Sequence, residues 1–243
     1  MIYIKDDFLE QRLLDAILLD KREYQEVKTP GKSFWVKEPS SLLVDYMVNK
    51  ISYIENRHIE NILCFFRQAK EGQDNDWRIH NDTIIQGQQP EKALVLYISK
   101  EIKDKLNGTA FWSHKDIGDT YPGGSVDDFN NLLTQDANDV SKWDLKSVIG
   151  HKQNRLISYP CNYFHSKYPN EFKENREVLV MFYKTKKVNG PYDVKEKTFK
   201  NFKSAAGKII GNARIKNNTY ERIEANRNEK QTGCGCKSDS AST

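Results

Sequence analysis

The sequence predicts a mainly β domain, a barrel or sandwich with flanking helices, on three observations. Short runs rich in β-branched, aromatic and leucine residues recur from Ile59 onward: Ile62 to Phe66, Trp77 to Thr83, Ala93 to Ser99, Thr109 to Ser113, Leu156 to Tyr159 and Val178 to Tyr183. Gly, Pro, Asn and Asp clusters separate these runs, which favours turn-connected strands over a parallel α/β sheet. Residues 5–56 and a basic stretch near the C-terminus instead carry apolar residues at helical spacing.

Taken in order, Phe8, Leu9, Leu13, Leu14, Ile17 and Leu18 fall on one helical face behind Asp6-Asp7, an acidic pair suited to a helix N-terminus. A second helix follows Pro39-Ser40-Ser41, with Leu42, Leu43, Tyr46, Met47 and Ile51 as its apolar set and Ser40 or Ser41 as N-cap. Both need an apolar surface to cover, which the β core of residues 59–185 supplies. Lys115 to Lys152 interrupts the strand rhythm with Gly118, Pro122-Gly123-Gly124, many Asp and Asn and a short helix expected near Trp143. A polar insertion of that length reads as a lid or mobile loop. Residues 1–188 thus form one expected catalytic-size domain. The chain then turns basic, with Lys184, Lys186, Lys187, Lys195, Lys197 and Lys200. Residues 189–230 read as an extension, helical from about Val194 to Asn228, and residues 231–243 as a small-residue polar tail expected to be disordered.

Composition narrows the functional classes. The 243 residues suffice for one sizeable core. The 11 Phe, 12 Tyr and 4 Trp supply an aromatic interior although the mean hydropathy is -0.77. With 38 basic against 34 acidic residues, the net charge of +4 points to no polyanionic partner, which counts against nucleic acid. No run approaches the roughly 18 apolar residues that span a bilayer, and Met1 to Asp7 lacks a basic start followed by an apolar stretch. Cys64, Cys161, Cys234 and Cys236 do not make the pattern of a disulfide-stapled secreted domain, so a reducing cytoplasm is expected. The abundance of Lys, Asn and Ile fits an AT-rich genome such as that of a bacteriophage.

Chemistry concentrates in two places. In Trp77-Arg78-Ile79-His80-Asn81-Asp82, read as a strand, the period of two puts His80 and Asp82 on one face, an imidazole beside a carboxylate. Two His and one carboxylate are the donors of the facial site of non-haem iron(II) oxygenases, which leaves positions open for other ligands. A surface strand pair is the plain alternative. The second place runs from Arg155 to His165, where a β-type run ends in a turn that brings His165 to a strand mouth, and Arg176 opens another strand after it. Arg176 shares a face with Val178, Val180 and Phe182, so it is either paired with an anion inside the fold or solvated at the rim.

These pieces, in this order, resemble the prolyl 4-hydroxylase-like branch of the 2-oxoglutarate and iron(II) dioxygenases, over about Trp77 to Tyr183. The family's His-x-Asp falls on His80 and Asp82, its aromatic strand on Leu94 to Ser99, its Gly-Thr-x-Phe strand on Gly108 to Phe111, and its distal His and basic residue on His165 and Arg176. The resemblance implies a double-stranded β-helix, or jelly roll, packed against N-terminal helices. It implies Fe(II) on His80, Asp82 and His165, with 2-oxoglutarate anchored by Arg176 and dioxygen at the remaining position. Tyr97 would donate its hydroxyl to the same carboxylate as Arg176, or else serve only as core. Asp82, where halogenating relatives carry a small residue, implies hydroxylation, of a small-molecule or peptide substrate such as a peptidyl or free proline. The chain departs from the family in a longer stretch between Asp82 and His165 and in Glu177-Val178 after Arg176, where many relatives have Arg-x-Ser.

Other residues carry less. His114, Trp112 and Trp143 read as structural, His58 and His151 as surface, and Asn154 and Arg155 as structural by resemblance. Phe182 stands where nucleic-acid-directed relatives carry a second Arg. Two other readings stay open: a non-enzymatic jelly-roll binding protein, and a nucleic-acid-directed dioxygenase. The oligomeric state is not legible.

Overall fold

Residues 92–97, Lys-Ala-Leu-Val-Leu-Tyr, form a strand with apolar side chains on both faces, as expected of a strand covered on both sides. Ala93, Val95 and Tyr97 enter one buried cluster, whereas Leu94 and Leu96 enter another. That division sets the layering of the fold. The computed structural model describes residues 1–20, 22–29, 32–71, 78–100, 106–169, 174–186 and 194–232. In chain order the elements are β1 (Tyr3–Lys5), α1 (Gln11–Leu18), β2 (Gln25–Thr29), β3 (Lys32–Lys37), α2 (Ser41–Glu55), β4 (Ile59–Ala69), β5 (Lys92–Tyr97) and β6 (Gly108–His114). There follow α3 (Val126–Asn131), β7 (Trp143–Gly150), β8 (Leu156–Pro160), β9 (His165–Tyr168), β10 (Arg176–Thr185) and α4 (Val194–Thr232).

A seven-stranded sheet in the order β1-β8-β5-β10-β4-β3-β2 faces a three-stranded sheet in the order β7-β6-β9, and the paired strands run antiparallel. Between them lie Val95, Tyr97, Phe111, Ile149, Tyr159, Val178 and Phe182, contributed by both sheets. The outer face of the larger sheet is covered by helices. Leu13, Leu14 and Ile17 of α1, Tyr46, Met47 and Ile51 of α2, and Phe202, Ala205 and Ala206 of α4 pack on Leu94, Leu156, Leu179 and Met181. Each fully buried Leu or Met there contributes about 1.5–3 kcal/mol. The basic C-terminal stretch is therefore joined to the body by an apolar seam on α4.

Ser40 caps α2 by accepting from the Leu43 N–H, and Asn56 ends it in the left-handed conformation (φ 52°). Asn154 (φ 64°) staples the N-terminal segment to the turn before β8: its side-chain oxygen accepts from Leu9 N at 2.8 Å and its Nδ2 donates to Leu9 O at 2.8 Å. Asp6 binds Arg155 Nε at 2.6 Å and Lys152 Nζ at 3.0 Å. It therefore serves as a tie to β8 and does not start α1, whose first residue is Gln11.

Lys50 of α2 sits under the helices with its ammonium 4.3 Å from the Phe8 ring centroid, and it donates to Tyr46 Oη at 2.8 Å and to the Phe8 carbonyl. Burial pushes its pKa down to about 8, with Lys203 and Lys5 adding repulsion against the opposing pull of Glu10. The unfolded chain binds this proton up to the ordinary lysine value of 10.5, so stability rises as the pH climbs from about 8 toward that value. Lys50→Met is expected to abolish this contribution, seen as a smaller change in urea midpoint between pH 7.5 and 9 than in wild type.

Several further expectations differ from the structure. Of the Trp77 to Thr83 run, Trp77 lies outside the described residues, and residues 78–83 form no strand and touch a sheet only through the isolated bridge of His80 to His165. The Asn81 side chain accepts from Thr83 N and Thr83 Oγ1, a local turn that withdraws the chain from the ladder. The helix expected near Trp143 is a short 3-10 turn, Val140–Lys142, followed by β7, so residues 143–150 of the expected insertion are sheet. The remainder folds back onto the smaller sheet, burying Leu132 and Ala137, and the Trp143 indole donates to Asp136 O at 2.8 Å. Finally, the β2–β3 hairpin interrupts a region read as helical; β2 is a charged edge strand whose side chains bury too little to show a period. Residues 187–193 and the tail 233–243, with Cys234 and Cys236, lie outside the described residues.

Candidate metal centre

His80 and His165 lie side by side because their main chains exchange two hydrogen bonds, His80 N to His165 O at 2.9 Å and His165 N to His80 O at 2.8 Å. β9 begins at His165, just after the turn that leaves β8, and its other neighbour is β6. Ile79 packs with Trp112, Trp143 and Phe164 in the outer cluster, and its neighbour His80 is turned the other way, towards Tyr159 and Phe111 around His165. The alternation read from the sequence thus survives without a continuous strand. Asp82 is anchored by its N–H to Cys161 O at 2.8 Å.

The donor atoms converge. His165 Nε2 lies 3.1 Å from Asp82 Oδ2, and His80 Nε2 lies 3.8 Å from Asp82 Oδ1. One ligand atom from each of the three residues lies within 4.8 Å of the others, the single such group among the described residues. The opposite ring nitrogens are both occupied by backbone: His80 Nδ1 is 2.8 Å from Arg78 O and His165 Nδ1 is 3.0 Å from Tyr163 O. A carbonyl oxygen only accepts, so each Nδ1 carries hydrogen and each Nε2 faces Asp82, where it holds a proton in the metal-free site and would offer its lone pair to a metal that displaces that proton. Outer partners of this kind orient the imidazoles of metal sites. Asp82 is buried, which opposes its ionisation; the charges of His165 and His80 and the His165 hydrogen bond outweigh burial and hold the carboxyl below its usual range. Two imidazoles and one carboxylate whose donor atoms converge suit a divalent transition metal with further coordination positions to spare.

Arg176 opens β10 and is 5% exposed, so it is no solvated rim residue. Its guanidinium carbon lies 5.4 Å from the Tyr97 ring centroid, and Nη2 is 3.4 Å from Gly108 O. The Tyr97 hydroxyl is engaged with Thr109 Oγ1 at 2.8 Å and lies 3.4 Å from Ile149 O. Arg176, Tyr97 and Thr109 therefore form a second polar group within the fold; Tyr97 shares the inner apolar cluster with Tyr159, whose ring lies 4.8 Å from that of His165.

His114 lies apart, with Nε2 3.2 Å from Asp136 Oδ2 and its ring edge-on to Trp143; Trp112 donates its indole N–H to Ser166 Oγ at 3.0 Å. All three are packing residues, as expected. Three others were not singled out in the sequence. Arg67 alternates with Leu63 and Phe65 on the inner face of β4, and its charge reaches both Asp82 and His165. Thr109 bonds Tyr97. His151, expected at the surface, is half-buried with its ring centroid 4.9 Å from that of Tyr97. Only Arg67 carries a sequence signal, as the next inward position of the strand period after Leu63 and Phe65. A groove of about 770 Å³ between α1, α2 and α4, lined by Leu19, Leu43, Phe66 and Ile209, lies on the helical side of the larger sheet and holds none of these groups.

No family model matches the sequence, and no curated protein matches it. The fold is similar to solved structures. The non-heme alpha ketoglutarate dependent epimerase SnoN from nogalamycin biosynthesis aligns at 10% identity and a TM-score of 0.51, over 75% of this chain and 76% of that one. The carbocyclase SnoK of the same biosynthesis aligns at 8% identity and 0.51, over 75% and 78%. HygX from Streptomyces hygroscopicus, with nickel and 2-oxoglutarate bound, aligns at 7% identity and 0.50, over 75% and 82%. At such identities the likeness concerns architecture: the chain is a jelly roll flanked by helices, built like those proteins.

Proposed function

We propose that the chain is an iron(II)- and 2-oxoglutarate-dependent dioxygenase that hydroxylates a small-molecule or peptide substrate. The observation that carries this reading is the convergence of the His80 and His165 Nε2 atoms on an ionised Asp82, with both Nδ1 atoms pinned to carbonyls. In it His80, Asp82 and His165 hold Fe(II), Arg176 pairs with the distal carboxylate of 2-oxoglutarate, and Tyr97, with Thr109, offers a hydroxyl beside that pair. Bound together, iron, 2-oxoglutarate and dioxygen supply the oxidising chemistry that converts 2-oxoglutarate to succinate and hydroxylates the substrate.

The chain's own share is geometric and electrostatic. Three donors from one side would leave further positions of a bound metal for other ligands. Asp82 contributes one negative charge, and the buried Arg176 guanidinium has the fork geometry that a carboxylate meets with paired hydrogen bonds. Phe111 and Tyr159 flank His165 and exclude water from that side. Within this reading a prolyl 4-hydroxylase-like specificity, toward a peptidyl or free amino acid, is supported by the motif order from His80 to Arg176. A cytoplasmic setting is supported by the cysteine pattern, and no helix among the described residues is long and apolar enough to cross a membrane.

Anaerobic titration with Fe(II) and 2-oxoglutarate tests the proposal through the weak visible charge-transfer band of a metal-chelated 2-oxo acid. Wild type is expected to show the band. Arg176→Met removes one partner of a buried ion pair, so its affinity for 2-oxoglutarate is expected to fall about thirtyfold or more while iron binding persists. A wild-type chain that binds neither iron nor 2-oxoglutarate sinks the enzymatic reading in favour of a non-enzymatic jelly-roll binding protein.

A further inference from the structure

His151 follows the last residue of β7, and its surroundings are specific. Its main-chain N–H donates to Asn107 O, its Nε2 lies 3.1 Å from Ser99 O, and its ring is tilted 58° to that of Tyr97 at 4.9 Å between centroids. The Ser99 carbonyl only accepts, so Nε2 carries hydrogen and a neutral ring has its lone pair on Nδ1. Nδ1 is buried and has no hydrogen-bond partner among the described residues. Tyr97 thus has His151 against its ring and the Arg176 guanidinium 5.4 Å from its centroid.

The charges facing His151 come from several elements. Arg176 belongs to β10. Arg155, which precedes β8, is bound to Asp6, and the uncharged Tyr97 ring of β5 packs on the imidazole. Burial is the largest influence and disfavours the charged ring; Arg176 and Arg155 add repulsion, while the Ser99 and Lys100 main chain favours the proton, and the balance lies below the usual histidine range. An anion seated on Arg176 cancels much of that repulsion, and a dicarboxylate brings acceptors that a neutral Nδ1 cannot serve.

We propose that His151 is a positioning residue for the co-substrate: seating of a dicarboxylate at Arg176 draws one proton from solvent onto His151 Nδ1, so affinity for 2-oxoglutarate rises as the solution is acidified. The inference rests on the proposed role of Arg176 as the carboxylate anchor. The direction follows from reciprocity. Well above the bound-state midpoint of His151 the ring is neutral with or without ligand, and affinity is independent of pH. Between the bound and free midpoints the complex holds a proton that the free protein lacks, so affinity climbs as pH falls; below both it levels off.

The test measures 2-oxoglutarate affinity by the charge-transfer band at saturating Fe(II), without oxygen, from pH 8 to pH 5.5, in wild type and His151→Gln. Gln retains an N–H for Ser99 and cannot titrate. Pyruvate, a 2-oxo acid without the distal carboxylate, is the control ligand. Wild type is expected to bind 2-oxoglutarate about fivefold more tightly at the acid end, with a flat response in His151→Gln and for pyruvate. An equal slope in His151→Gln, or for pyruvate, overturns the proposal, because the proton then belongs to another group or to the metal ligands. A second measurement needs no variant: in zinc-loaded wild type, the histidine with the depressed NMR titration midpoint is expected to shift upward when 2-oxoglutarate is added, and an unmoved midpoint also overturns it. Absence of the band at every pH removes the iron and 2-oxoglutarate reading itself, whereas a band without a His151-dependent slope removes only this inference.

Discussion

Asp82→Ala is expected to abolish the stabilisation of this fold by iron. A ligand at a hundredfold excess over its Kd stabilises the native state by about 2.7 kcal/mol, and a domain of this size gains roughly 2–4 °C in Tm per kcal/mol. Wild type in saturating Fe(II), melted anaerobically, should therefore gain several degrees. Asp82→Ala leaves two neutral imidazoles with no anionic donor, and the gain should vanish. The variant itself should still fold, since burial opposes the charge of Asp82 and its anchor to Cys161 is made by the main chain. An iron-dependent Tm rise in Asp82→Ala equal to that of wild type would exclude Asp82 as a ligand.

Gly108→Ala is expected to destabilise the fold strongly although it adds only one methyl group. A Cβ at Gly108 would lie 2.0 Å from Ile149 O, 2.9 Å from Ile149 C and 3.0 Å from Gly150 Cα, all backbone atoms of the paired strand β7. No rotamer change relieves a clash with backbone, so β6 and β7 must separate where Gly108 also accepts from Arg176. A loss of about 3 kcal/mol or more is expected from urea unfolding, together with weaker 2-oxoglutarate binding. Gly118→Ala is the contrasting variant: Gly118 has φ 94° with nothing near its missing Cβ, so only backbone strain of about 1–2 kcal/mol is expected. Equal losses in the two variants would show that contact with β7 is not the cause.

The elements legible in the sequence are those whose period is enforced by burial on a defined face. β5 and β10 are buried on both sides and stand out as unbroken apolar runs, and α2 combines an apolar face with a serine cap. The edge strands β2 and β7 were not legible, because an edge strand with exposed positions imposes little pattern. The run Trp77 to Thr83 misled for the opposite reason. Its residues alternate as a strand would, yet the Asn81 side chain competes for the backbone groups a ladder would use.

By itself the sequence determined the residue types of the site and their order: His80 and Asp82 two apart, His165 after a β-type run, and Arg176 at the head of the last strand of the core. Alternation along an extended chain is a local property, so it specifies which side chains share a face without reference to the rest of the molecule. Only the tertiary structure decided that His80 lies against His165, that both Nδ1 atoms are held by carbonyls, and that Arg176 is buried beside Tyr97 with His151 on the same ring. These relations join residues from opposite sheets and distant turns. They are set by strand register and by the packing of one sheet on the other, which no single segment encodes.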